Sequence, residues 1–120
     1  MRIKYQIFFR ACDKVESVHK VLRPFGLNKS EIIKVSFYSL YSSLKAEDYS
    51  FTIIGDGLSN ELINFLKLFK DVVIFNESLG SAGKSLQKQI ELAMNVSNND
   101  WIYMCEDDYL HAPHTFQYIS

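Results

Sequence analysis

The stretch SFTIIGDGLSNELINFLKLFKDVVIF, residues 50–75, decides the fold class. Its first five residues, SFTII, predict a short strand, and Gly55-Asp56-Gly57 ends that strand. Ser59 is typical of a helix N-cap. Val72 to Phe75 predicts a further strand of unbroken apolar character. Between the two strands, apolar residues recur at the i, i+3, i+4, i+7 spacing of one helical face: Leu62, Phe65, Leu66 and Phe69.

The same alternation of strands and helices extends toward the N-terminus. Ile3 to Phe9, rich in β-branched and aromatic residues, predicts the first strand. Asp13 opens a capping box that predicts a helix, which Pro24-Phe25-Gly26 ends. Ser30 is a candidate N-cap for another helix, which extends as far as about Lys45. Its apolar stripe consists of Ile33, Phe37, Leu40 and Leu44.

Toward the C-terminus, the glycine-bearing segment LGSAGKS, Leu79 to Ser85, predicts a loop. Asn98-Asn99-Asp100 predicts a turn into the last strand, Trp101 to Cys105. Between loop and turn lies a predicted helix with Leu86, Ile90, Ala93 and Met94 on one face. Because the strands are continuously apolar, we expect a sheet covered on both faces. The predicted class is therefore α/β, with a Rossmann-like, mostly parallel sheet flanked by helices and right-handed crossovers.

Composition limits the partners that we expect. The chain has 120 residues, of which 48% are hydrophobic, which suits a single domain spanning 1–120. A net charge of −1 predicts no general nucleic-acid binding. The N-terminal residues are too polar for a signal peptide, and no apolar run reaches the roughly 18 residues of a membrane helix. We therefore expect a cytoplasmic protein without a transmembrane segment. The sequence leaves its oligomeric state open, and an oligomer is possible.

Polar and flexible residues follow all of the predicted strands. They are Arg10-Ala11, Gly55-Asp56-Gly57, Asn76-Glu77 with the glycine loop, and Glu106-Asp107-Asp108. In open parallel sheets, ligands bind beyond the carboxyl ends of the strands. These residues are thus candidates for one binding edge. The alternative is that each strand simply ends in residues that water can solvate.

The acids after the last strand require a reason, since adjacent like charges repel one another. Mg²⁺ and Mn²⁺ prefer carboxylate oxygens, and Mg²⁺ is typically held by one or two carboxylates together with phosphates and water. On an extended backbone, Glu106 and Asp108 point to the same side. We therefore expect a site for Mn²⁺ or Mg²⁺ that a phosphorylated ligand completes.

Three segments together resemble the nucleotide-binding half of GT-A-fold glycosyltransferases, especially family 2. IIGDGLSNE, Ile53 to Glu61, resembles the family's strand that ends in an acidic turn. NESLGSAGKSLQKQIELA, Asn76 to Ala93, resembles its glycine-containing loop and helix. MCEDDY, Met104 to Tyr109, resembles its Asp-X-Asp motif, with Glu106 in place of the first Asp. The resemblance extends from Ile3 to about Tyr109.

This resemblance implies roles for the acids. Asp108 would bind the metal directly, and Glu106 would face the ribose or hold metal-bound water as the second metal residue. Asp107 lies between them among the nucleotide-sugar contacts. Asp56 would accept a hydrogen bond from the imide N–H of uracil, which favours a UDP-sugar as donor.

The resemblance also implies contacts from the rest of the edge. Lys84 or Lys88 would meet the diphosphate, assisted by main-chain amides around Gly80 and Gly83. Phe9, Arg10 and Ala11 fall where family members line the base pocket. The implied reaction is metal-dependent transfer of a sugar from a nucleoside diphosphate sugar to a carbohydrate or another hydroxyl acceptor.

The chain departs from the family pattern in its length. It ends at Ser120, and in the family the acceptor site and general base come later. We expect a truncated, partner-completed or degenerate glycosyltransferase, with no catalytic base identified. His111 lies three residues beyond Asp108. We expect a surface role for it, with a supplementary Mn²⁺ ligand as the alternative.

Two other classes of protein fit part of the pattern. GSAGKS, Gly80 to Ser85, ends like the phosphate-binding loop of P-loop proteins, and it follows a strand and opens a helix. Against this class, Ser78 stands where that motif requires its first glycine. The other class is a non-catalytic α/β interaction module whose acids bind Mg²⁺ without sugar chemistry.

Overall fold

The structure, a computed structural model, describes residues 4–12, 27–44, 47–77, 82–96, 99–107, 109–112 and 116. The strands are β1 (Lys4–Ala11), β2 (Asp48–Asp56), β3 (Val72–Glu77) and β4 (Trp101–Glu106). The helices are α1 (Lys29–Ser43), α2 (Asn60–Leu66) and α3 (Ala82–Ala93). The helix predicted from Asp13 lies outside the described residues.

The strands form a four-stranded parallel sheet in the order β3-β2-β1-β4, which confirms the predicted α/β class. Phe9 of β1 lies beside Ile53 of β2 on one side and Cys105 of β4 on the other. The chain adds β2 and β3 successively to one side of β1 and then crosses back to place β4 on the opposite side. The strand order therefore reverses between β1 and β4.

The sheet face that α1 and α2 cover, called the α1/α2 face below, carries the main core. All four predicted apolar positions of α1 are 0% exposed, which confirms its stripe: Ile33, Phe37, Leu40 and Leu44. Phe37 is the centre of an aromatic cluster, and its ring centroid lies 4.9 Å from that of Phe69 in an edge-on contact. Such contacts add to the area that these rings bury. Leu62 and Leu66 anchor α2 to the same core.

The opposite sheet face, called the α3 face, is covered by α3 over β1 and β2. Phe8, Ile54 and Ala93 form a small core there. The buried side chain of Gln89 donates a 2.7 Å hydrogen bond to the carbonyl oxygen of Phe8 and approaches that of Cys105 at 3.5 Å. Ser85, one turn before Gln89, is also buried.

The prediction of which side of α3 packs on the sheet is wrong. Leu86, Ile90 and Met94 are exposed to 40%, 43% and 79%, and Ala93 alone of the four predicted residues is buried. The amide of Gln89 explains the rotation, because it satisfies strand carbonyl oxygens only when its own side of the helix faces the sheet. The prediction that both faces of the sheet are covered is likewise wrong for the outer strands, β3 and β4. Among the described residues, four apolar side chains on their α3 face are exposed: Val73, Phe75, Ile102 and Met104.

Several element ends differ from the prediction. The N-cap of α1 is Asn28 instead of Ser30, because Asn28 and Glu31 form a reciprocal capping box. The N-cap predicted for α2, Ser59, is confirmed by its bond from the amide of Leu62. β2 and β4 extend to Asp56 and Glu106, so both acids are strand residues.

The segment predicted as a glycine loop is partly helical, because α3 already begins at Ala82. Gly83 and Lys84 therefore belong to the first turn of α3. Across the described ranges, no helix combines the length and apolar character needed to cross a membrane.

The turn after β2 is held by residues of β3. The side-chain oxygen of Asn76 accepts a 2.8 Å hydrogen bond from the amide of Leu58, and the amide of Gly57 bonds to the carbonyl oxygen of Glu77 at 2.8 Å. Gly57 has φ 62°, a conformation that glycine adopts without strain. Gly55 has no room for a side chain, because a Cβ there would lie 2.6 Å from Cδ1 of the buried Leu58.

We expect Gly55→Ala to lower the free energy of unfolding by about 1–3 kcal/mol, because Leu58 must move out of its packed position. Urea unfolding measures the change. Gly83→Ala is the matched control: on an exposed helical position it should be neutral or stabilise by up to about 1 kcal/mol. Equal stability of Gly55→Ala and the wild type would contradict the predicted clash.

Candidate functional site at the carboxyl edge of the sheet

The carboxyl ends of all four strands meet at one edge, since the strands are parallel. In open α/β sheets, ligands bind in the crevice outside this edge, where the strand order reverses. Here the reversal lies between β1 and β4. The residues that end these two strands are therefore the first candidates for ligand contact.

Arg10 and Glu106 occupy this position together. They are direct neighbours in the register of β1 and β4, and the Nη2 of Arg10 donates to Oε1 of Glu106. The Arg10 side chain is 13% exposed and that of Glu106 is 51% exposed. The guanidinium of Arg10 is thus largely buried, while the carboxylate of Glu106 is open to solvent.

Asp56 lies on the same sheet face as this ion pair. Side chains alternate along a strand, so Arg10 follows Phe8 and Asp56 follows Ile54 onto the α3 face. Asp56 is 7% exposed. β1 lies between Asp56 and Glu106, which separates their strands by about 10 Å. Three predicted site residues therefore share one face and one edge.

The first turn of α3 reaches the same edge, because α3 leaves the carboxyl end of β3 and returns toward the start of β4. Gly83 and Lys84 are exposed there. Lys88, one turn later, places its Nζ 5.8 Å from the ring centroid of Phe75. Lys88 therefore lies over β3, with β2 between it and β1, whereas Lys84 is in the turn nearest the edge.

Asp107 points to the opposite face. Its Oδ1 accepts a 2.7 Å hydrogen bond from Nζ of Lys29, and its Oδ2 accepts one of 3.0 Å from the amide of Cys12. The residue is 9% exposed. This contact joins the segments after β1 and β4 to the start of α1, so Asp107 fixes the positions of the strand ends. Lys29 is 78 positions away in sequence, and no local pattern predicts the pair.

The other predicted site residues divide into two groups. Phe9 and Ala11 are 0% and 2% exposed within the core of the α1/α2 face, so among residues 9–11 Arg10 alone turns its side chain toward the α3 face. Gly80 and Asp108 lie outside the described residues.

The donor chemistry of Glu106 suits a hard divalent cation, because a half-exposed carboxylate offers oxygen ligands at an open edge. Within the part of the chain that the structure describes, no three His, Cys, Asp or Glu side chains converge on a common metal position. A cation at Glu106 would therefore need further oxygen ligands, which Asp108, phosphates and water can supply in an open Mg²⁺-type site.

His111 contacts β4 from the α1/α2 face and not beside Glu106. Its Nε2 lies 2.6 Å from the hydroxyl of Tyr103 and 4.0 Å from Sγ of Cys105. Its amide donates to Oγ of Ser39 at 3.0 Å. Burial lowers the pKa of His111 and raises the pKa of Tyr103 to about 12. His111 is half-buried against the core, which corrects the expected surface role.

Comparison with known proteins returns no match from families of related sequences, from curated proteins or from solved structures.

We expect Asp107→Ala to lower the free energy of unfolding by about 1–3 kcal/mol, since it leaves the Cys12 amide and the Lys29 ammonium without this acceptor. Asp107→Asn keeps an oxygen for the amide and should cost less. A double-mutant cycle with Lys29→Met, measured by urea unfolding, isolates the ion pair. Additive effects of the two substitutions would contradict the coupling.

We expect stability to fall as the pH drops below 6.5, the ordinary pKa of histidine, because the unfolded chain then binds a proton that folded His111 resists. His111→Gln should reduce this loss between about pH 7.5 and pH 5.5. Thermal unfolding across this range measures it. If wild type and variant lose stability in parallel, His111 does not carry the effect.

Proposed function

We propose that this chain binds a nucleoside diphosphate sugar together with Mn²⁺ or Mg²⁺, and that it forms the donor-binding part of a glycosyltransferase. The observation that carries the proposal is the common position of Asp56, Arg10 and Glu106. All three lie on the α3 face at the carboxyl edge, and the strand reversal runs between Arg10 and Glu106.

The separation within this group suits a nucleotide. The base and the diphosphate of a nucleoside diphosphate lie at opposite ends of the ribose. Asp56 on β2 is a candidate for the base, and Arg10 and Glu106 beyond it are candidates for the phosphates and their metal. A buried carboxylate suits the imide N–H of uracil, which favours a UDP-sugar.

The charges of the edge support the same assignment. Arg10 supplies a guanidinium, which can form a bidentate hydrogen bond with phosphate oxygens. Lys84 adds an ammonium group in the first turn of α3. Gly83 lies in that turn, whose main-chain amides are suited to anions. Lys88, over Phe75, is the weaker candidate of the two lysines.

A metal at this edge would be held by Glu106 and Asp108. When bound, it would offset the negative charge that develops on the leaving diphosphate. The acceptor would be a carbohydrate or another hydroxyl compound. Its deprotonation needs a general base, a role that we assign to no residue of this chain.

A P-loop nucleotide-binding protein is the second candidate. In its favour, Gly83, Lys84 and Ser85 lie at the start of a helix that follows a strand, just after its first residue Ala82, as the phosphate-binding motif requires. Against it, the preceding strand is β3, which is the outermost strand on its side of the described sheet. A phosphate loop there would lie at the margin of the sheet, away from the strand reversal.

Calorimetric titration with UDP, GDP, dTDP and ATP, each with and without Mn²⁺, tests the proposal. We expect UDP to bind in a manganese-dependent manner. Asp108→Asn and Asp56→Asn should each weaken this binding by about tenfold or more, since each removes a charged partner of the ligand. Lys34→Met, which removes a partly exposed cation paired with Glu61, is the control that should bind UDP normally.

Other outcomes of the titration contradict the proposal. Tight ATP binding that Lys84→Met abolishes, together with indifference to UDP, would favour the P-loop class. No response to any of the four nucleotides would favour the interaction module. Binding of UDP that Asp56→Asn and Asp108→Asn leave unchanged would locate the nucleotide elsewhere.

A further inference from the structure

The ion pair between Arg10 and Glu106 lies where the proposed ligand needs both partners. Glu106 is the candidate metal residue, and Arg10 is the candidate phosphate residue. Without a ligand, each neutralises the other. A metal that approaches Glu106 alone therefore meets a carboxylate whose charge Arg10 already compensates, and a diphosphate that approaches Arg10 alone meets a guanidinium compensated by Glu106.

The two partners are unequal in their freedom to move. Arg10 extends from β1, which is paired on both sides, and its side chain is 13% exposed. Glu106 ends β4, which has β1 as its described neighbour, and its side chain is 51% exposed. Glu106 is open to solvent, and Arg10 keeps a small exposed fraction at the same edge, so a ligand that reaches Glu106 also comes next to the guanidinium.

We infer, on the basis of the proposed function, that Arg10 exchanges between Glu106 and the diphosphate and thereby makes the metal and the nucleotide bind cooperatively. A diphosphate carries more negative charge than one carboxylate, and phosphate oxygens match the guanidinium fork. When Arg10 turns to the phosphates, the carboxylate of Glu106 regains its full charge for the cation.

This exchange has a reciprocal consequence. If the nucleotide raises the affinity for the metal by some factor, the metal raises the affinity for the nucleotide by the same factor. The coupling should depend on the Arg10–Glu106 pair and not on the net charge of the edge. Removing Arg10 should therefore strengthen the binding of the metal alone, and removing the charge of Glu106 should strengthen the binding of the nucleotide alone. Either change should reduce the coupling between the two ligands.

The test measures Mn²⁺ binding from the paramagnetic resonance signal of the free ion, alone and with saturating UDP. A protein-free titration corrects for the Mn²⁺ that UDP itself binds. For the wild type we expect weak binding of Mn²⁺ alone and at least about tenfold tighter binding with UDP. For Arg10→Met we expect about tenfold tighter binding of Mn²⁺ alone and a smaller gain from UDP than in the wild type, because only the direct contacts between phosphate oxygens and the metal then couple the two ligands.

Glu106→Gln is a second variant, for which we expect a gain in the affinity for metal-free UDP. Its amide keeps the shape of the side chain but no longer holds Arg10 by charge. Metal-free UDP should therefore bind several-fold more tightly than to the wild type, a gain that damage to the fold does not produce. Lys34→Met removes a cation of the distant Lys34–Glu61 pair and should leave both affinities and their coupling unchanged.

The results separate this inference from the proposed function. If the wild type binds Mn²⁺ and UDP cooperatively and Arg10→Met retains the whole coupling, the exchange is refuted and the proposed function stands. Weaker metal-free UDP binding by Glu106→Gln also refutes the exchange. If the wild type binds neither UDP nor Mn²⁺, both are refuted.

Discussion

The fixed register of β1 between β2 and β4 is the constraint on which the rest of the structure depends. Because side chains alternate along a strand, this register sends Phe9 and Ala11 into the core under α1 and α2 and turns Arg10 to the other face. A slip of one residue would exchange these two sets and place a guanidinium in an aromatic core. Core packing and the position of the candidate site are therefore set by one and the same pairing.

Local sequence patterns predicted the parts of the fold that local physics controls. The stripe of α1 is buried as predicted, because a helix that packs on one side needs apolar residues at that spacing. Ser59 caps α2 for an equally local reason. The acids at the ends of β2 and β4 are candidates because they follow predicted strands, and ligands bind beyond the carboxyl ends of strands in a parallel sheet. The parallel arrangement, inferred from strand–helix alternation, then brings these ends to a single edge.

What the sequence did not predict depends on contacts between distant residues. The orientation of α3 follows from Gln89, whose partner Phe8 is 81 positions away. The acceptor role of Asp107 depends on Lys29, and the half-buried position of His111 depends on Ser39, 72 positions earlier. Polar residues such as these carry no periodic signal. Their partners become known only when the strands and helices have been placed in space.

The uneven covering of the sheet has a dynamic consequence. β1 and β2 have apolar cores on both faces, whereas Ile102 and Met104 leave one face of β4 open to water. Strands with less buried apolar surface separate from their neighbours more readily in local fluctuations. The site thus combines an anchored cation on a firmly held inner strand with an acid on a looser outer strand. Local opening of β4 would change the width of the crevice while β1, the strand that carries Arg10, stays in place.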